Sequence, residues 1–509
     1  MYTCHMVETA AAYNATRSIY TRSKLKIKHT RKRKRTIVVQ FCGMVRTLEV
    51  LRKFARFVGP GILVSVAYMD PGNYSTSVSG GAQFKYVLLS SVLISNLFAV
   101  VLQCLCVKLG TVTGRDLAEN CRQHLPRKLN LTLYLFAQIA IIATDLAEVV
   151  GTAIALEILF GIPLSWGVLM TVLDVLAILM FYTPESSSLK KTRIFEMFVS
   201  LLVAGTVMCF VLELFKISVP DKGQLLKGFL PSKIIFRDQQ ALYISLGILG
   251  ATVMPHSLYL GSSLVKPRLQ DYDLKHHGAV GDRPSLGAIK YSLNYSYAEL
   301  ILSLFFIATF VNSAILIVAG ATLFGQPDAE DADLLSIYHL LVQYITPAAG
   351  LIFAWAMIFS GQSAGIICTL AGQIVSEGFL EWSLPPWAIR LCTRLIAIVP
   401  CLFVTLTMGE HGISDILNLS QVVLSLILPI VSAPLIYFTA SKKFMAVPKP
   451  EEERQESDEN TALVNGKQDT VDFSNSNWLT ILSVLIWAVI GILNCYLVIS
   501  FLLGADVHF

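Results

Sequence analysis

The sequence predicts an all-α polytopic membrane protein, and three observations carry that expectation. Of the 509 residues, 54% are hydrophobic and only 15% charged, with a mean hydropathy of +0.62, outside the range of soluble domains. Apolar runs long enough to cross a bilayer, about 20 residues each, recur along the chain. Two of these runs are interrupted by a proline flanked by polar or soft side chains, at Asp70-Pro71-Gly72-Asn73 and at Met254-Pro255-His256.

Eleven apolar segments follow one another, near 57–81, 86–109, 131–159, 164–183, 193–215, 240–264, 294–320, 335–370, 388–408, 413–439 and 478–503. The eighth is too long for one straight span, so Pro347 either kinks it or ends a preceding surface helix. Residues 1–56 are basic, with Glu8 and Glu49 the only acids and a run Arg31-Lys32-Arg33-Lys34-Arg35. They read as a cytosolic segment that fixes orientation and touches anionic lipid. A mitochondrial transit segment shares that composition, whereas nucleic-acid binding does not suit a polytopic chain. Residues 57–440 hold ten spans, 441–477 read as a disordered acidic cytosolic linker, and 478–509 carry a peripheral eleventh span.

Loop charge sets the expected topology. Lys and Arg gather after spans two, four, six and ten, whereas Asp328, Glu330, Asp331, Asp333, Glu410 and Asp415 follow spans seven and nine. The amino terminus is therefore expected in the cytosol and the carboxyl terminus outside. The loops 216–237 and 266–290 are the other extended connections, and the first of them mixes both signs. Ten cysteines are scattered without a C-x-x-C pair, the pattern of small buried apolar side chains rather than disulfides.

The first break lies in GPGILVSVAYM-DPGN. Proline removes a backbone donor and clashes with the preceding turn, and glycine loosens the backbone further. A carboxylate and an amide beside such a break are costly in hydrocarbon unless they face a bundle interior or wet cavity, where irregular backbone is also tolerated. Span six repeats the device in SLGILGATVMPHSLYLGSSL. Breaks in spans one and six, at corresponding places in two five-helix halves, point to an inverted-repeat transporter with its substrate at the midplane.

The side chains there limit the substrate. Asp70 offers an anionic oxygen, Asn73 an amide oxygen, Met254 a thioether, and the unwound backbone near Ala251 a carbonyl. Oxygen alone would suit magnesium or calcium; a thioether favours softer transition metals. The mixed set, with one carboxylate, predicts transient uptake of Mn²⁺ or Fe²⁺. A closed Cys/His shell of structural zinc is not present in this pattern.

Asp70-Pro71-Gly72-Asn73 with Met254-Pro255-His256 resembles the signature of the natural resistance-associated macrophage protein (Nramp) family of proton-coupled divalent metal transporters. The likeness continues through ATDLAEVVGTAIAL, GQSAGIICTLAGQIVSEGFL and NLSQVVLSLILP, and so covers most of residues 57–440. The wording after span six is most similar to the fungal manganese transporters of that family. The resemblance implies a leucine-transporter-like fold, with spans one to five and six to ten as inverted repeats. It implies Asp70, Asn73, Met254 and the Ala251 carbonyl as metal ligands, with Gln421 approaching the metal in some states. It implies that His256 moves protons, that Asp145 and Glu148 form a proton exit, and that Arg394, or Arg390 close by, is their basic partner. The expected activity is import of divalent metal, Mn²⁺ first and Fe²⁺ among others, coupled to protons by alternating access. The metal is cargo rather than a cofactor. Partners would be metal ions, protons and the lipid bilayer of the plasma membrane or an endosomal or vacuolar membrane. The sequence leaves the oligomeric state open, with a monomer among the readings.

The residues themselves leave plainer readings open. Asp145 and Glu148, three apart, share a helix face; they suit a shared proton, or ion pairing that locks two helices. His256 suits proton transfer or a buried hydrogen bond, and Gln421 suits a ligand or interhelical contact. Gly361-Gln362-Ser363-Ala364-Gly365 matches a hydrolase nucleophile pattern, but in a helical span small residues serve close packing. No H-E-x-x-H is present, a metal-sensing receptor would need no proton path, and Met254 disfavours a magnesium channel. The Asn-x-Ser/Thr sequons fall in or near spans or on the cytosolic side, and His276-His277 read as a solvated loop.

Overall fold

A computed structural model describes residues 59–171, 189–217, 219, 221–326, 334–380, 385–408, 411–449 and 470–503. The basic segment 1–56, most of the expected fourth span and the middle of the acidic linker lie outside the described residues. The described part is built of helices with one small ladder.

Each half opens on a broken helix. α1 (Pro60–Val66) and α2 (Pro71–Phe84) replace the first span. Asp70 is the N-cap of α2, and its carboxylate accepts from the Gly72 and Asn73 amides at 3.2 and 3.0 Å. Pro71 takes the first helical position, where its missing N–H is no loss. α3 (Leu89–Thr113), α4 (Leu117–His124), α5 (Arg127–Phe160) and α6 (Leu189–Lys216) follow, and a surface helix α7 (Lys222–Gly228) leads to the second half. There the sixth span divides into α8 (Gln239–Thr252) and α9 (Pro255–Ser263), with Met254 extended at the N-cap and Pro255 again at the first position.

α10 (Lys266–His277) turns the front of the expected 266–290 loop into helix, closed by Gly278 in the left-handed conformation. Its Lys266 ammonium lies 2.8 Å from both Asp116 and Glu119, tying it to the connection between α3 and α5. Outside the spans, burial lifts the Asp116 carboxyl to about 6 against the pull of Lys266. Burial also opposes ionisation of Glu119, but Lys266 wins and holds that carboxyl below its usual range.

α11 (Leu286–Leu302) passes through one π-helical stretch, Ser303–Ala308, into α12 (Thr309–Thr322). α13 (Leu334–Tyr344) and α14 (Pro347–Leu380) settle the question of the long eighth segment: Pro347 starts a new helix after a separate short one, and the span runs on to Leu380. α15 (Pro386–Met408), α16 (His411–Ala440) and α17 (Asn477–Leu502) complete the chain. α17 rests mainly on α16: Asn494 exchanges hydrogen bonds with Ser425, and Trp487 Nε1 donates to the Pro429 carbonyl at 2.8 Å.

Among the described residues, eight helical stretches are long and apolar enough to cross a membrane, two of them (Gln239–His277 and Leu286–Thr322) running through several of these elements. The halves of the first span are too short singly to be counted, and most of the expected fourth span lies outside the described residues, so the expected count of eleven stays an expectation. The linker departs from expectation. Its ends pair as β1 (Ala446–Pro448) and β2 (Thr470–Asp472), antiparallel, and Asn475 N–H reaches the Thr439 carbonyl at 2.9 Å. Only residues 450–469 of it lie outside the described residues.

Close approach of helices at glycines packs the bundle, within each half and, at Gly361, between them. A Cβ on Gly151 would stand 2.2 Å from Pro71 Cβ, and one on Gly361 2.1 Å from Thr152 Oγ1. A Cβ on Gly250, beside the second break, would stand 1.9 Å from the Gln421 carbonyl oxygen of α16. Gly250→Ala is therefore expected to destabilise by roughly 1–3 kcal/mol, read as a lower thermal midpoint in detergent. Gly491→Ala, with open space around it, should leave the midpoint unchanged.

Candidate metal site

Interrupting a helix frees carbonyls and amides that hydrocarbon cannot satisfy. Around the first break, neighbouring helices meet them. Asn312 of α12 donates to the Tyr68 carbonyl at 3.0 Å, and Ser360 of α14 donates to the Met69 carbonyl. Glu299 of α11 accepts from the Gly59 and Gly61 amides at 2.5 and 3.0 Å, capping the start of α1. The break is thus held from two sides, by α12 and α14, and Asp70 is fixed at its edge.

Asn73 then joins the two breaks. Its amide Nδ2 donates to Asp70 Oδ1 at 2.6 Å and to the Ala251 carbonyl at 2.8 Å. Three of the expected ligands therefore converge, two from the first break and one from the second. Asp70, Asn73 and Ala251 are all buried. Gln421 joins them: a Cβ built on Gly72 would lie 2.3 Å from Gln421 Nε2 and 2.8 Å from Asp70 Oδ2, which puts both side chains against the same glycine. Gln421 Oε1 is buried and has no hydrogen-bond partner, so it has acceptor capacity to offer a cation. Met254, on the same break as Ala251, is fully buried. Its carbonyl accepts from the Ser257 hydroxyl at 2.7 Å and the Ser257 amide at 3.1 Å.

The expected proton residues lie on the next helices. His256 Nδ1 is 3.3 Å from Thr144 Oγ1 of α5, and His256 Nε2 has no hydrogen-bond partner. Thr144 directly precedes Asp145, whose carboxylate pairs with the buried Arg394 guanidinium of α15. Glu148, one turn on and also buried, keeps Oε2 without a hydrogen-bond partner. The choice of basic partner thus falls to Arg394; the Arg390 side chain lies outside the described residues.

The family model described as Natural resistance-associated macrophage protein-like matches residues 61–450. The chain belongs to the Nramp family. It is 76% identical over 469 residues to a protein named iron transporter SMF3 from Saccharomyces cerevisiae, covering 91% of this chain and 99% of that one. It is 50% identical to manganese transporter SMF2 from the same yeast, over 94% of this chain and 93% of the other. Among solved structures, the Eremococcus coleocola manganese transporter is similar with a TM-score of 0.73 and 32% identity, each chain covered to 90%. MhsT shares the fold at a TM-score of 0.51 and 12% identity, over 87% of this chain and 98% of that one. The protein is thus an integral membrane protein of the leucine-transporter-like fold, from a family of transporters rather than enzymes. Ser363 agrees: it lies inside α14 and donates to the Phe359 and Ser360 carbonyls of its own helix, with no strand-to-helix elbow.

Several residues at this Nramp site escaped the sequence reading. Tyr68, Gln103 and Ser257 form one buried cluster, with Gln103 Nε2 donating to Tyr68 Oη at 2.9 Å and Ser257 Oγ at 2.8 Å. Gln103, Glu299 and Asn312 are polar side chains inside apolar spans, and that alone marks them as costly unless partnered. Nothing in the sequence says which partner each finds.

Removing one member of the Asp145–Arg394 pair leaves a buried charge uncompensated. Arg394→Gln is expected to cost about 3–5 kcal/mol, seen as a lower melting midpoint of the purified protein, and adding Asp145→Asn should recover part of the loss. Equal midpoints for Arg394→Gln and wild type would remove the pair from the account.

Proposed function

We propose that this protein imports Fe²⁺ and Mn²⁺ into the cytosol together with protons, by alternating access, with Asp70, Asn73, Met254, Gln421 and the Ala251 carbonyl taking the metal. The observation that carries the reading is the Asn73 amide bridging the Asp70 carboxylate and the Ala251 carbonyl across two helix breaks. The names of the relatives put both iron and manganese in the substrate class, and the mixed oxygen and thioether set suits either ion better than Mg²⁺ or Ca²⁺.

A hydrated dication reaches the breaks from outside. The Asn73 amide gives up its two acceptors, so that Asp70 and Ala251 turn to the metal and the Asn73 oxygen and Met254 sulfur complete the grip. Ligation needs the Asp70 carboxylate, so a proton leaves as the metal arrives. His256 and Thr144 carry it toward α5. There Asp145 is committed to Arg394, which makes Glu148 the carrier that passes the proton to the cytosolic side. One repeat then rocks against the other and the metal leaves inward. Each positive charge crossing gains about 2.3 kcal/mol per 100 mV of inside-negative potential.

The distribution of Lys and Arg supports a cytosolic amino terminus and an outer carboxyl terminus. The plasma membrane or an acidic endosomal or vacuolar membrane supplies the proton gradient. The basic 1–56 segment serves as lipid-facing anchor, and 450–469 as an acidic tether.

The test is radiometal uptake into proteoliposomes with an imposed pH gradient. Asp70→Ala and Met254→Ala are each expected to abolish most Mn²⁺ and Fe²⁺ flux, and Met254→Ala to let Ca²⁺ compete. Asn73→Ala should weaken metal binding about 10- to 100-fold in titration calorimetry. Unchanged flux in the first two variants would refute the assignment.

A further inference from the structure

Cys368 lies on α14, the helix that packs most extensively against α5; its thiol hydrogen-bonds to the Glu148 carboxyl and lies 3.8 Å from the Ile141 carbonyl oxygen. One ligand atom from each of Asp145, Glu148 and Cys368 lies within 4.8 Å of the others, and all three residues are buried. Glu148, 2% exposed, aims into this cluster with an oxygen that has no hydrogen-bond partner. Arg394 pairs with Asp145 at its edge.

Charge balance says what such a cluster accepts. Two carboxylates against one guanidinium reach neutrality by keeping one proton, and the thiol keeps another. A dication that displaces both protons to water leaves two carboxylates and a thiolate balanced by Arg394 and the ion. The buried cluster is then again neutral overall, which a second cation without proton release would not achieve. The thiolate favours thiophilic metals. Donors around zinc stand roughly 3.3–3.8 Å apart, given bonds of about 2.0–2.3 Å, so these three need to draw in by about 1 Å; the larger Cd²⁺ asks for less. The second Glu148 oxygen supplies a fourth donor.

We propose that Asp145, Glu148 and Cys368 form a second, non-transporting site for a thiophilic dication such as Cd²⁺. A metal lodged there occupies Glu148 and blocks proton exit, so that it inhibits transport without competing at Asp70. This inhibitory consequence rests on the proton route proposed above; the binding itself does not.

The experiment titrates the purified full-length protein with Cd²⁺ and follows the ultraviolet thiolate-to-cadmium charge-transfer band, for wild type, Cys368→Ser and Met254→Ala. In parallel, Cd²⁺ inhibition of Mn²⁺ uptake is measured for wild type and Cys368→Ser, each against its own uptake without Cd²⁺. The band is expected to shrink in Cys368→Ser and persist in Met254→Ala, whose thioether gives no thiolate band. The part of the inhibition that excess Mn²⁺ does not relieve should need at least about tenfold more Cd²⁺ in Cys368→Ser. A band in Cys368→Ser equal to that of wild type overturns the site. A smaller band with unaltered inhibition supports the site and overturns the proton route through Glu148.

Discussion

Everything at the centre of this protein depends on the Asn73 amide, held between the Asp70 carboxylate at 2.6 Å and the Ala251 carbonyl at 2.8 Å. Each group belongs to a helix stopped by proline, and neither stop would be tolerated in hydrocarbon alone. Together they satisfy one another. The same bonds bring carboxylate, amide and carbonyl oxygen to one place, which is the chemistry a hard-to-borderline dication requires. Under the proposed ligand assignment, folding and metal binding use the same atoms, and a metal takes the place of contacts that help hold the breaks together.

In the proposed mechanism, the second break ties metal to protons by adjacency. Met254 ends the non-helical turn, Pro255 begins α9, and His256 meets Thr144 at 3.3 Å. Thr144 is next to Asp145, which Arg394 holds. A movement of α9 is thus felt by α5 without any long relay. The same α5 carries Gly151 against Pro71, so both breaks touch this helix. In the proposed mechanism, a shift of one repeat relative to the other acts on the metal ligands and the acidic pair together, which is the coupling an ion-driven transporter needs.

Much of this was legible in the sequence because the signals are physical and local. Proline beside a polar residue in an apolar run has few interpretations, and its repetition in span six fixes the two-fold logic of the fold. The pair Asp145 and Glu148 stood out because charges in spans are rare. What stayed hidden is partnership. Sequence spacing could not choose between Arg390 and Arg394, nor show that Arg394 would pair with Asp145, leaving Glu148 with no ion pair among the described residues. Nor could it tell that Gln103 serves Tyr68 and Ser257. The linker read as featureless because three-residue strands have no signature of their own; β1 and β2 exist through pairing across the segment. Cys368 looked like any apolar cysteine, and only the packing of α14 on α5 gives it acidic neighbours.

The most direct measurement is X-ray absorption at the manganese or iron edge of purified protein loaded with one equivalent of metal. The account predicts a first shell of oxygens with one sulfur, the sulfur lost in Met254→Ala and the shell reduced by an oxygen in Asp70→Ala. An all-oxygen shell in the wild type, unaltered by Met254→Ala, would contradict it, because the two broken helices would then not share one ion.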